Sequence, residues 1–171
     1  MNLKNKPLIC IVMGSASDEA IAKKAIEYLK LIEVPFAVRV ASAHRTPDLL
    51  HEILEEYKDS VEVYIGIAGM SAALAGVMAG AMPSKLVIGV PVKSSDLVPD
   101  SLLSTVMMPP GVPVASVGLD AGKNAAIVAC QALAIKYPEI GERLVEIFRV
   151  SAQKVRDADA KISATYNIHC D

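Results

Sequence analysis

Three short stretches of this chain concentrate the side chains that could do chemistry. Gly14-Ser15-Ala16-Ser17-Asp18 places two hydroxyls and a carboxylate directly behind an apolar run. At a strand-to-helix junction such a stretch turns free backbone N–H groups and hydroxyls toward one point, a setting for a phosphate or a sugar. The spacing Ser15-x-x-Asp18 is also that of a capping box, which needs no ligand. The stretch is neither G-x-G-x-x-G nor a phosphate loop followed by Lys, which argues against dinucleotide or ATP binding. Ser42-Ala43-His44-Arg45 adds an imidazole that can move protons and a guanidinium that can clamp an anion. The bland alternative is that His44 merely precedes the helix start signalled by Thr46-Pro47, with Arg45 solvated.

The third stretch, Gly69-Met70-Ser71-Ala72 and on to Gly76, is small and apolar. It would let a ligand approach the backbone closely. With Gly69, Gly76 and Gly80 it would equally serve tight packing of a helix against a sheet or a neighbouring subunit. The other histidines read as structural: His51 falls inside a helical pattern, and His169 lies in the tail beside Cys170.

The elements that must position these residues alternate between strand and helix. Apolar runs of strand length occupy 7–13, 36–40, 61–67, 86–92 and 113–117. Helical periodicity follows at 18–32, 47–54 and 72–82, in a short helix at 101–108, and at 124–137. A last amphipathic helix over 139–162 carries a stripe of Ile140, Leu144, Ile147, Val150 or Ser151, and Val155. Continuous apolar strands alternating with helices imply a parallel sheet covered on both faces, an α/β/α sandwich. With the flavodoxin-like order 2-1-3-4-5, ligands bind at the carboxyl ends of the strands, between strands one and three. All three chemical stretches leave that edge.

Composition narrows what such a site can bind. The 171 residues are 53% apolar and 21% charged, with a net charge of −2, consistent with one domain spanning 1–171 and against disorder or a nucleic-acid surface. An anionic ligand must therefore be met by local charges. Cys10, Cys130 and Cys170 form neither a metal spacing nor an even disulfide set, which points to a reduced, cytoplasmic setting. The stretch 65–90 has the length of a membrane span, but Pro83, Lys85 and five glycines divide it, so two buried elements fit better than one spanning helix.

The order Gly-Ser-x-Ser-Asp (14–18), Ser-Ala-His-Arg-Thr-Pro (42–47), Ala-Gly (68–69), Gly-Val-Pro-Val (89–92), Asp-Ser-Leu-Leu-Ser (100–104) and Met-Pro-x-Gly-Val-Pro-Val (108–114) resembles the purine-biosynthetic aminoimidazole ribonucleotide carboxylase family. The resemblance runs from about residue 7 to about residue 160. One branch of that family is a mutase that moves a carboxylate from the exocyclic nitrogen of N5-carboxyaminoimidazole ribonucleotide to the ring carbon. The other carboxylates aminoimidazole ribonucleotide directly with carbon dioxide. Neither uses a metal or cofactor, and the family implies a homo-octamer. Arg45 resembles the mutase branch, where the direct carboxylase usually has Lys. The third stretch departs from both: Met70, Ser71, Ala73 and Ala75 replace the second Gly, the first Ala, the His and the Pro of the usual mutase run. Met107 sits where mutases often carry Gln.

By position, the resemblance implies that Ser15, Ser42 and Arg45 hold a phosphate, with Ser17 beside them, and that Asp18 takes ribose hydroxyls. Gly69, Met70, Ser71 and Ala72 would shape the base and carboxylate pocket, and His44 would carry the proton. Two readings of another class stand beside the enzyme: a non-catalytic mononucleotide-binding module of flavodoxin-like fold, and a purely structural assembly protein.

Overall fold

A computed structural model describes residues 6–93 and 99–167. Strand β1 (Ile9–Met13) is buried along its whole length, which its uninterrupted apolar sequence requires of a central strand. A 3-10 turn at Ala16–Asp18 leads into helix α1 (Glu19–Ile32), which ends where Glu33 adopts a left-handed conformation (φ 58°). Strand β2 (Phe36–Val40), helix α2 (Pro47–Tyr57), strand β3 (Val63–Ala68), helix α3 (Leu74–Ala81) and strand β4 (Leu86–Pro91) follow. Helix α4 (Pro99–Val106), a two-residue β5 (Ala115–Ser116), α5 (Gly122–Ala134) and α6 (Pro138–Tyr166) complete the chain.

The five strands are parallel, as the alternation of elements implies, and stand in the flavodoxin-like order β2-β1-β3-β4-β5. Alternate side chains feed two cores. Ile9, Ile11, Ile65, Ile67 and Ile88 meet α1 and α5 on one face, while Cys10, Val12, Tyr64 and Val87 meet α2 and α3 on the other. Each fully buried Ile or Leu contributes roughly 1.5–3 kcal/mol, so the centre of the sheet is the least movable part of the molecule. The Cys10 and Cys130 thiols lie in these cores, and burial pushes both up to about 12. A thiol held protonated in this way is a packing group rather than a nucleophile.

The seat of α3 is set by two glycines in register. Gly66 on β3 pairs with Gly89 on β4. A Cβ on Gly66 would lie 3.2 Å from both Ala75 Cα and Cβ, and one on Gly89 would lie 2.3 Å from Thr105 Cγ2 and 3.3 Å from Ala75 Cβ. A side chain on Gly66 would therefore crowd α3 and force it to give, and one on Gly89 would collide with Thr105 of α4.

The structure refines the sequence reading in several places. The stretch 65–90 divides into the end of β3, α3 and β4, three elements rather than two. Helix α3 begins at Leu74 instead of Ala72, because Met70 (φ 54°) and Ala72 (φ 28°) are held in a conformation a right-handed helix cannot contain. The stripe on α6 packs only at its start: Ile140 is buried and Leu144 and Ile147 lie against the first core, while Val150 and Val155 are exposed. No described helix is long and apolar enough to cross a membrane.

Candidate functional site

Beyond the carboxyl ends of β1, β2, β3 and β4 lies a cavity of about 740 Å³. It is lined by all ten residues singled out above: Ser15, Ser17, Asp18, Ser42, His44, Arg45, Gly69, Met70, Ser71 and Ala72. The location follows from topology. The chain leaves β1 toward one neighbour, β2, and reaches the other, β3, only after passing through that edge strand, so the loops part between β1 and β3.

The first loop forms the capping arrangement its spacing suggests. The Ser15 hydroxyl accepts from the Ser17 N–H at 3.4 Å, and the Asp18 carboxylate accepts from the Ser15 N–H at 3.1 Å. Capping and ligand binding are not alternatives here, because the cap uses the Ser15 hydroxyl only as an acceptor, which leaves its O–H free to donate from the cavity wall. Asp18 is 7% exposed. Burial raises its carboxyl above the ordinary value, and the hydrogen bonds from the Ser15 backbone and the Ser17 side chain offset part of that rise.

The second loop is tied together around Ser42. The Ser42 N–H donates to Thr46 Oγ1 at 3.0 Å, the Thr46 hydroxyl donates to the Ser42 carbonyl at 3.3 Å, and the Arg45 N–H donates to Ser42 Oγ at 3.2 Å. Pro47 opens α2 as expected, but the Thr46 side chain caps nothing in that helix. It closes the preceding turn instead. Arg45 crosses to the first loop, where Nη2 donates to the Gly14 carbonyl at 3.2 Å. Its remaining guanidinium donors and the Ser15 and Ser42 hydroxyls form one donor cluster suited to a multiply charged oxyanion. His44 is exposed on the rim beside it.

The third loop supplies no charge. Its shape comes from the backbone: the Ala72 N–H donates to the Gly69 carbonyl at 3.0 Å, and the Val92 N–H donates to the Ala68 carbonyl at 2.9 Å. Two non-glycine residues at positive φ within three positions are strain held by surrounding structure, which gathers at ligand sites. Ala72 is buried and Met70 is 74% exposed.

His51 is exposed on α2 and does not line the cavity, nor does Met107, and His169 lies outside the described residues. Lys93, just past β4, lines it as well, although nothing in its residue type or neighbours marks it out in the sequence. The signal that could have found it is its place at the same sheet edge. Among the described residues no group of three or more His, Cys, Asp or Glu side chains is placed to hold a metal ion.

Residues 8–154 match the family model for AIR carboxylase. The chain is 48% identical over 159 residues to the N5-carboxyaminoimidazole ribonucleotide mutase of Methanocaldococcus jannaschii, covering 93% of this chain and 99% of that one. It is 51% identical over 140 residues to the mutase of the same name from Pyrococcus abyssi, covering 81% and 80%. Among solved structures, PurE from Treponema denticola superposes with a TM-score of 0.84 at 34% identity, covering 91% of this chain and 98% of that one. A match of this extent in sequence, together with the superposition, makes the chain a member of the AIR carboxylase family.

Proposed function

We propose that the protein is an N5-carboxyaminoimidazole ribonucleotide mutase of purine biosynthesis, acting as one domain over residues 1–171. The observation that carries this reading is the juxtaposition at one sheet edge of a donor cluster (Ser15, Ser42, Arg45), a rim imidazole (His44) and an uncharged loop (69–72). Each matches one demand of the reaction. The donor cluster holds the 5′-phosphate and Asp18 accepts from the ribose hydroxyls. The carbamate is labile, and protonation at its nitrogen releases carbon dioxide. The apolar loop then keeps that neutral molecule against the ring until the ring carbon attacks it. The proton left on the carbon must be removed, and an imidazole can give the first proton and accept the second near neutral pH. No step asks for a metal or a cofactor.

The direct carboxylase is the second reading, favoured by Ser71 alone in the third loop. The two separate in one experiment. Product must form from fresh N5-carboxyaminoimidazole ribonucleotide in carbon-dioxide-depleted buffer, and not from aminoimidazole ribonucleotide with bicarbonate. Efficient product from the second mixture would make the protein a carboxylase, and product from neither would leave only a nucleotide-binding or structural module.

Assembly into a homo-octamer, working in the cytoplasm, belongs to the same proposal. It is supported by the apolar side chains that α6 leaves exposed, Phe148 at 74% and Val155 at 68% among them, and by the free thiols of Cys10 and Cys130. A fully active monomer in light scattering would overturn the assembly.

A further inference from the structure

The mutase substrate is anionic at both ends, with a phosphate on the ribose and a carboxylate on the base, but the donor cluster answers only one of them. Arg45 is committed to the β1 side of the cavity by its bond to the Gly14 carbonyl. The loop over which the base would rest, 69–73, contains no charged side chain. In a chain of net charge −2, a second anion needs a cation of its own.

Lys93 is that cation. It lines the same cavity from the end of β4, two strand spacings from β1 and so on the order of 10 Å from the Arg45 side. Its backbone is fixed on both sides. The Val92 N–H donates to the Ala68 carbonyl at 2.9 Å, and the Lys93 N–H donates to Asp120 Oδ1 at 2.9 Å. Asp120 is itself held at φ 53°, with its N–H donating to the Pro91 carbonyl at 3.0 Å. This construction anchors the Lys93 backbone firmly, while its exposed ammonium has no hydrogen bond or ion pair among the described residues. A pinned main chain with an uncommitted charge in the cavity lining, beside the uncharged loop and away from Arg45, is the arrangement expected of a ligand contact.

We propose that Lys93 is a specificity-determining residue that binds the carboxylate of the substrate, opposite the phosphate cluster. The inference rests on the mutase reading above. Contact with the ammonium favours the carboxylated nucleotides at both ends of the reaction and gives nothing to the uncarboxylated ring, so a bound nucleotide that has lost its carbon dioxide is the more weakly held species.

The test is calorimetric titration of the intact protein with aminoimidazole ribonucleotide and with 4-carboxyaminoimidazole ribonucleotide, using wild type, Lys93→Met and Lys93→Arg. Lys93→Met is expected to lose about 10- to 100-fold in affinity for the carboxylated nucleotide, the range of one charge-assisted hydrogen bond. Its affinity for the uncarboxylated one should stay within about twofold, and Lys93→Arg should recover most of the loss. Equal loss toward both ligands, or loss toward neither, overturns the proposal while leaving the mutase reading intact. Wild type that binds neither nucleotide overturns both together.

Discussion

The two polar loops and the apolar loop of the cavity are built on opposite plans. In 15–18 and 42–46 the side chains hold the backbone: Ser15, Asp18, Ser42 and Thr46 each accept a main-chain N–H, and the shape is relaxed. In 69–73 the backbone is held from outside, by the glycine-lined seat of α3 and by the bond from Val92 to Ala68, and it carries two residues at positive φ. The first plan suits a phosphate, which needs donors at fixed positions. The second suits a neutral molecule in transit, which needs a surface without charge. The difference teaches that polarity and strain divide the labour here, charge being placed at the two ends where anions bind and withheld from the loop against which carbon dioxide is held.

That contrast can be broken most forcefully at His44. Replacing it with Asn should lower turnover by about 10²- to 10⁴-fold, the usual share of general acid–base catalysis, while nucleotide affinity stays within a few-fold. Retained turnover would mean that the polar side binds but does no chemistry. On the strained side, Met70→Val should cost about 1–2 kcal/mol, because a β-branched residue is ill suited to φ 54°. Met70→Gly should change stability by less, since relief of strain is offset by the freer unfolded chain. Thermal melts of the two variants that agree with each other would show that the loop carries no strain.

The smallest effect lies at Asp18 and concerns pH. Burial raises its folded carboxyl above the unfolded value of 3.8, so just above that pH the folded state holds a proton the unfolded state has released. Stability contributed by this group therefore falls as pH rises through that window. Asp18→Asn removes the buried charge and keeps an oxygen for the Ser15 N–H. In urea unfolding, the variant's stability relative to wild type should rise from pH 3.5 to neutrality. A difference that stays flat across that range would show that the carboxylate sits as comfortably in the fold as in water.

Much of this contrast is legible in the sequence, and unequally. The polar loops announce themselves by residue type, since Ser, Asp, His and Arg after an apolar run have few purely structural uses together. The covered parallel sheet follows from apolar runs that leave no polar face. The strain in the third loop is written nowhere in its letters. Met70-Ser71-Ala72-Ala73 reads as the start of a helix, yet Met70 and Ala72 stand at positive φ and the Ala72 N–H turns back to the Gly69 carbonyl. Lys93 escaped notice for a related reason: it lies within a proline-marked polar stretch, and only the pairing of β4 with β3 brings it to the cavity. The distal half of α6 has the right periodicity for a buried face, but periodicity does not say whose surface covers it.

The paired glycines under α3 set a limit on how this pocket can evolve. Gly66 and Gly89 have no side chain to trim, and adding one crowds Ala75 and Met78 at Gly66 and collides with Thr105 at Gly89, so the support of the apolar loop is hard to change. A descendant of this protein that came to prefer a larger or differently charged base would have to change residues 70–73 or Lys93 themselves. The site is thereby free to drift at its lip and fixed at its foundation.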